Sequence, residues 1–272
     1  MLSPSAWSEP WLCWAGLEGA GRVVSKSPGY DVAGYEAFRH RAGQAQLSGN
    51  EKAGFPDAYR AGRSEAILAD IDGKLPAFMR QGARILDIGI GCSDLSRCIV
   101  GRAVELGQHL TLVDGPEILA QLADGPLIRK VEGPFPACLP ALRDAGPFDA
   151  ILVYSVIQYV FAEASLDRFI DSALTLLDEV AGGLLIGDIP NVSMRKRFFA
   201  SPAGRTHHAE HYAGQPAPDY RFNAPEPGQI DDAVVLGILA RARAAGFQSF
   251  VLPQGSGLPM MNRREDILIR RP

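Results

Sequence analysis

From residue 83 to the end of the chain, short apolar runs alternate with segments of helical spacing. "ARILDIG" is followed by the helical "DLSRCIVGRAVELG", which closes on Gly107, and "HLTLVDG" is followed by "EILAQLA". "LIRKVEG" is a third apolar run, "FDAILVYSVI" a fourth and "GGLLIGDIP" a fifth. Between the last two lies "SLDRFIDSALTLLDEV", with Leu166, Phe169, Ile170, Ala173, Leu174 and Leu177 on one stripe. Runs this short and continuously apolar read as strands buried on both faces, and strands alternating with helices predict a mostly parallel sheet. "FQSFVLPQ" and "EDILIRR", which flank the link "GSGLPMMNR", are the last two strands. A parallel crossover needs a dozen or more residues, so this link predicts an antiparallel pair. The expected fold class is α/β: a Rossmann-like, doubly wound sheet of seven strands, mostly parallel, with an antiparallel last strand.

Two segments break the pattern. Residues 1–63 read as an N-terminal extension or cap, in which "YEAFRHRAGQAQL" has helical spacing and "NEKAGFPDAYRAGR" reads as a loop that covers a site. The first 30 residues show no clean period, and their aromatics, Trp7, Trp11 and Trp14 among them, are expected to dock on the core. Residues 64–272 form the main domain, opening with "SEAILADIDGKLPAFM", where Ile67, Leu68, Ile71 and Leu75 share a face and Ser64 is the expected N-cap. Within it, 190–229 is rich in Pro, Gly, His and Arg, has no strand pattern, and is expected to be a lid.

The chain's 272 residues, 47% hydrophobic and 21% charged, suffice for a sizeable core, and a net charge of −4 argues against nucleic acid as a partner. No run is long and apolar enough to span a bilayer. No Lys or Arg precedes the three tryptophans, which makes a poor signal peptide. The four cysteines, Cys13, Cys92, Cys98 and Cys138, form no C-x-x-C pair and read as reduced thiols of a cytoplasmic protein. The sequence leaves a homodimer open.

Where the first strand ends, "ILDIGIGCSD" places Asp87, Gly89 and Gly91 in succession, with Asp94 beyond. In a doubly wound sheet ligands bind beyond the carboxyl ends of the strands, and glycines there let the backbone turn sharply against a ligand. The second strand ends in Asp114, placed to take two ribose hydroxyls. A dinucleotide fingerprint would require glycine where Asp94 stands, and a carboxylate faces a pyrophosphate badly. S-adenosylmethionine has no phosphate, and its ammonium suits a carboxylate such as Asp87, so the acidic glycine loop favours it over NAD.

At this point the sequence resembles class I S-adenosylmethionine-dependent methyltransferases. "LDIGIGCS" is similar to that family's first motif, "LTLVDG" to its ribose-binding strand end, and "FDAILVYSVIQYV" and "LLIGDIP" to its fourth and fifth strands, over about residues 60–190. The resemblance implies that Asp87, Gly89, Gly91 and Ser93 line the methionine end and Asp114 the ribose. It likewise implies Glu132 and Gly133 near the adenine, and Tyr154 and Ser155 near the methyl group. Ser93 stands where many members have a third glycine. The combination of "NEKAGFPDAYRAGR" with "GDIPNVSMRKRFF" also resembles methyltransferases of surface-sugar biosynthesis.

Acceptor-side candidates come from the cap and the lid. "GRTHHAEHY" holds His207, His208 and His211; a histidine is the natural base for an alcohol or amine at neutral pH. His207 and His211, four apart, share a helix face, but the segment has no H-E-x-x-H and no obvious third ligand, so no metal is expected. His207, His211 and Tyr59 are the catalytic candidates. Arg195, Lys196 and Arg197 of "MRKRFF", with Arg205, His208 and Arg60, are candidates for holding an acidic substrate. The expected activity is methyl transfer from S-adenosylmethionine, leaving S-adenosylhomocysteine, to a small hydrophilic, acidic or sugar-like acceptor at O or N. The alternatives are an NAD-dependent oxidoreductase or epimerase, disfavoured by Asp94 and by the lack of a Y-x-x-x-K pair, and a non-catalytic binder of an adenosine ligand.

Overall fold

The computed structural model describes residues 34–272 apart from 212, 213, 215, 217 and 219, with only the backbone at 58 and 59. Trp7, Trp11, Trp14, Cys13 and the Tyr59 side chain therefore lie outside the described residues. Strands β1 (Arg84–Ile88), β2 (His109–Asp114), β3 (Ile128–Glu132), β4 (Ala150–Tyr154), β5 (Gly183–Pro190), β6 (Gln248–Pro253) and β7 (Arg264–Arg270) form one sheet in the order β3-β2-β1-β4-β5-β7-β6. The first five pair in parallel; β7 runs antiparallel to both β5 and β6, as the short link before it requires. The order reverses between β1 and β4, which opens a crevice at their carboxyl ends.

The helices, in chain order, are α1 (Tyr35–Ala42), α2 (Gly49–Lys52), α3 (Asp57–Arg60), α4 (Ser64–Lys74), α5 (Asp94–Glu105), α6 (Pro116–Leu119), α7 (Leu139–Arg143), α8 (Ile157–Glu163), α9 (Leu166–Leu174), α10 (Val192–Ala200), α11 (Pro202–His211) and α12 (Asp232–Ala244). Alternation along the strands splits the core into two layers. Leu86, Ile88, Ile151, Val153, Leu184 and Ile186 pack with Phe169 and Ile170 of α9 and Val235 and Ile238 of α12. Ile85, Leu110, Leu112, Leu152 and Leu185 face the other way, onto Ile67, Leu68 and Ile71 of α4 and Ile99 and Val100 of α5. Each such side chain contributes roughly 1.5–3 kcal/mol of burial, so the sheet is a rigid platform for the loops at its end.

Ser64 is the first helical residue of α4 and not its cap. The Arg63 carbonyl accepts the first intrahelical bond, from Ile67 N–H at 3.0 Å, which puts Arg63 at the N-cap position. Two segments hold more helix than their composition predicted. The covering loop carries α2 and α3, started by Ser48, whose Oγ accepts the Glu51 N–H while the Glu51 carboxylate accepts the Ser48 N–H. The 190–229 segment carries α10 and α11; Asn191 Oδ1 caps α10 by accepting the Ser193 and Met194 N–H groups at 2.9 and 3.2 Å. Among the described residues, no helix is long and apolar enough to cross a membrane.

Candidate functional site

The glycine loop leaves β1 between two buried carboxylates. Gly89 and Gly91 have φ of +80° and +67°, the left-handed region that only glycine enters freely. Space excludes a side chain at the first of them as well, since a Cβ on Gly89 would lie 2.6 Å from Val156 Cγ2. The turn is tied down by Gly91 N–H, which donates to Asp114 Oδ2 at 2.9 Å, and the Gly115 N–H donates to Asp114 Oδ1 at 2.7 Å. Each oxygen keeps a lone pair for a ligand hydroxyl. Burial pushes the Asp114 carboxyl up to about 6 against the pull of those two N–H groups. Burial, with the Asp114 charge behind it, pushes Asp87 well above the usual carboxylate range. A pair of this kind disfavours full ionisation until a cation arrives.

Ser93 needs no left-handed backbone. Its φ is −77° in an extended conformation, and its N–H donates to Ser96 Oγ at 3.1 Å, so the loop closes onto α5 without a third glycine. Gly133 (φ +118°) follows β3, and its N–H donates to the Asp114 carbonyl at 3.0 Å; Glu132 pairs in register with Asp114 and is exposed. The strand ends thus bring Asp87, Gly89, Gly91, Asp114, Glu132 and Gly133 to one edge of the sheet.

Residues 35–60 form a strap across that edge. Helix α1 packs against α6 at the end of β2. Arg39 grips Glu117 with Nε–Oε2 and Nη2–Oε1 contacts of 2.8 and 2.6 Å. Burial and the nearby Asp114 charge push the Tyr35 phenol up to about 12. Helix α2 lies on the glycine loop so closely that a Cβ on Gly49 would fall 2.7 Å from the Cys92 carbonyl. Asn50, buried, donates to Asp57 at 2.9 Å and to Asp94 at 3.4 Å. Sequence reasoning placed this segment over the site but did not single out Tyr35, Arg39 or Asn50, because nothing local marks a side chain whose partner is 44 or 78 residues away.

The strap ends in a buried polar network at the tips of β4 and β5. Arg60 Nη2 donates to Asp188 Oδ2 at 2.6 Å and to Ser155 Oγ at 3.1 Å, and its guanidinium lies 4.0 Å from the Phe55 ring centroid and 5.8 Å from that of Tyr154. Arg264 Nη1 donates to the same Asp188 oxygen at 2.8 Å. Burial pushes Asp188 up, but Arg264, Arg60 and hydrogen bonds from Ser155 and Gln254 outweigh it and hold the carboxyl below its ordinary value. Behind it, Asp266 Oδ1 accepts the Asp188 N–H at 2.8 Å and Asp266 Oδ2 accepts from Lys74 at 2.6 Å. Ser155 and Asp188 both have positive φ, 61° and 59°. Such strain costs on the order of 1 kcal/mol per residue and persists where the surroundings over-determine it. Tyr154 belongs to the core layer beneath, its ring against Gly187, where a Cβ would overlap it.

A cleft beyond β5 is lined by Gln158, Asn191, Arg195, Gln229, Arg263 and Arg264 among others. Arg195 reaches it while pairing with Glu226 at 2.9 Å. Arg197 instead pairs with Asp232 of α12 at the surface, Lys196 shares Glu226, and Arg205 donates to the Ala200 carbonyl at 2.6 Å, so Arg195, Lys196 and Arg205, three of the four basic candidates here, are held by partners within residues 190–229. On α11, His207 stacks on His211 at 4.2 Å and meets the Phe198 ring edge at 5.7 Å, while His208 is buried. Burial, then His211 and Arg263, hold the His207 imidazole below its ordinary value. Among the described residues no three His, Cys, Asp or Glu side chains cluster as metal ligands do.

No protein-family model matches the sequence, and no curated protein matches it. Among solved structures, the chain is similar to the N-methyltransferase NodS from Bradyrhizobium japonicum WM9, at 15% identity and a TM-score of 0.46 over 78% of this chain and 99% of that one. It is also similar to precorrin-6y C5,15-methyltransferase from Geobacter metallireducens GS-15, at 13% identity and a TM-score of 0.45 over 76% of this chain and 88% of that one. A third is CalO1, a methyltransferase of calicheamicin biosynthesis in its SAH-bound form, at 17% identity and a TM-score of 0.41 over 88% of this chain and 68% of that one.

Proposed function

We propose that this protein transfers a methyl group from S-adenosylmethionine to a small hydrophilic acceptor, acidic or sugar-like, at oxygen or nitrogen. The observation that carries the reading is the left-handed glycine loop strung between Asp87 and Asp114. The site fits that donor in three respects. A cationic ammonium relieves the buried Asp87–Asp114 pair, Asp114 keeps lone pairs for two ribose hydroxyls, and the positive-φ glycines let a ligand approach the backbone. A pyrophosphate at the start of α5 would meet the Asp94 carboxylate, which Arg97 holds there at 2.9 Å, and this disfavours NAD.

When bound, the donor supplies an activated sulfonium methyl. The chain's own task is then alignment, which can contribute several kcal/mol, and exclusion of water, for which the strap and lid are placed. Asp87, Gly89 and Gly91 hold the amino-acid end, Asp114 the ribose, Glu132 and Gly133 the adenine side. Tyr154 and Ser155 stand at the end of β4 beside Arg60. Burial, then His211 and Arg263, hold His207 below its ordinary value, which favours the neutral imidazole that accepts a proton from an acceptor hydroxyl, and His211 stacks on it.

Calorimetric titration with S-adenosylhomocysteine, with NAD as control, on wild type and Asp114→Ala tests this. Micromolar binding of the former, lost in the variant, is expected. Heat with NAD and none with S-adenosylhomocysteine refutes it, and an intact pocket with no turnover on any acceptor points to the non-catalytic reading.

A further inference from the structure

The cleft beyond β5 has a one-sided chemistry. The described residues that line it include three arginines, Arg195, Arg263 and Arg264, and no Asp or Glu. Arg264 is engaged with Asp188, so it closes the inner end of the cleft. Arg263, 8% exposed, lies with its guanidinium carbon 5.1 Å from the Phe199 ring centroid, and Arg195 reaches the outer end past Glu226. A concave site with cationic walls favours an anion, and guanidinium groups match the oxygens of carboxylate and phosphate.

A second, independent observation comes from Gln158, also 8% exposed. Its Nε2 donates to the Ser155 carbonyl at 2.7 Å, which settles which way the amide faces. The other end, Oε1, is buried and has no hydrogen-bond partner among the described residues. Leaving a buried amide oxygen unpaired costs about 1–3 kcal/mol, so the cleft lacks a donor that something else brings.

We propose that this cleft is the acceptor subsite, holding an oxyanion of the acceptor, carboxylate or phosphate ester, on Arg263 and Arg195 while Gln158 Oε1 accepts a hydrogen bond from a neighbouring hydroxyl or amine. Its place in the fold agrees: Gln158 is bonded to the residue that follows β4, and Arg264 to the tip of β5. The acceptor class is then a hydroxy or amino acid, or a sugar phosphate or sugar acid, with the polar hydrogen close to the anion. This rests on the methyl-transfer reading above.

The test uses the full chain and simple probes. S-adenosylhomocysteine affinity is measured first by calorimetry on every variant. Inorganic phosphate, lactate and propionate are then titrated by nuclear magnetic resonance in the presence of S-adenosylhomocysteine. Phosphate and the two carboxylates separate the two oxyanion types, and lactate differs from propionate by the hydroxyl that Gln158 would hold. Expected are saturable binding of at least one oxyanion, at least tenfold weaker in Arg263→Gln and unchanged in the remote Arg129→Gln, with lactate favoured several-fold over propionate in wild type and not in Gln158→Leu. If Arg263→Gln does not fold, Arg195→Gln carries the same arm. Normal S-adenosylhomocysteine binding with no oxyanion binding, or with binding indifferent to Arg263 and Arg195, overturns the proposal and leaves the cofactor reading standing. Equal preference for lactate over propionate in Gln158→Leu overturns the role of Gln158. Oxyanion binding without any S-adenosylhomocysteine binding overturns the acceptor assignment together with the reading it rests on.

Discussion

Replacing Arg60 by alanine removes one of two guanidinium groups from a buried carboxylate that is only 3% exposed. Breaking a buried ion pair outright costs about 3–5 kcal/mol. Here Arg264 stays 2.8 Å from the same Asp188 oxygen, and Ser155 still donates to it, so about half of that, ~2 kcal/mol, is expected. Loss of the guanidinium from the Phe55 face, now at 4.0 Å, adds about 1 kcal/mol. With a urea slope of roughly 3 kcal/mol per molar, the midpoint falls by about 1 M. Amide exchange localises the effect: the distal part of the strap, residues 49–60, opens first and S-adenosylhomocysteine leaves faster. The sign with pH follows from Asp188, whose folded value lies below its unfolded one. Its stabilising contribution is complete above the unfolded value and is lost as pH falls through the folded one, so the wild-type advantage over Arg60→Ala shrinks in acid. A midpoint within 0.2 M of wild type (about 0.6 kcal/mol), with exchange of residues 49–60 unchanged, would refute this role for the Arg60–Asp188 pair.

Four further outcomes are expected. Because the Asp114 carboxyl sits at about 6 in the free protein, S-adenosylhomocysteine affinity should rise about tenfold per pH unit up to that value and level off above it. Over the same window, from the unfolded value of 3.8 up to about 6, Asp114 should lower the stability of the free protein by about 3 kcal/mol as pH rises; calorimetry and urea melts against Asp114→Asn read both, and a flat affinity profile denies Asp114 its role. Gly89→Ala should cost about 2–3 kcal/mol, part steric against Val156 and part backbone, so adding Val156→Ala should restore only the steric part. Lys74→Met leaves Asp266 buried beside Asp188 without its cation; since burial already raises Asp266, the loss of stability should be larger at pH 8 than at pH 5, and a pH-independent loss would mean that packing alone is at stake.

The strands and the glycine loop were legible because their signals are local. A buried strand such as "ILDI" declares itself in four residues, and Gly89 and Gly91 mark a turn that other residues resist. The antiparallel last pair followed from the length of one link. By the same locality Ser64 was misplaced by one position, since the N-cap depends on which carbonyl takes the first bond, and α2, α3, α10 and α11 were underread in segments rich in Gly, Pro and charge. Asp188 stood in plain sight within "LLIGDIP" and carried no mark of what it holds.

What the sequence by itself determined is the set of elements, the alternation that makes a doubly wound sheet, and the carboxylate–glycine–carboxylate edge of the site, all written in periodicities and turn residues a few positions long. Only the tertiary structure decided which charges meet. It joined Arg60 to Asp188 across 128 positions, paired Lys196 with Glu226, Arg197 with Asp232 and Arg205 with the Ala200 carbonyl, and gathered Gln158, Arg195 and Arg263 around one cleft. A local pattern sets what the backbone does, whereas an ion pair or a cleft depends on how the sheet order and helix packing bring distant side chains together. No spacing along the chain encodes that.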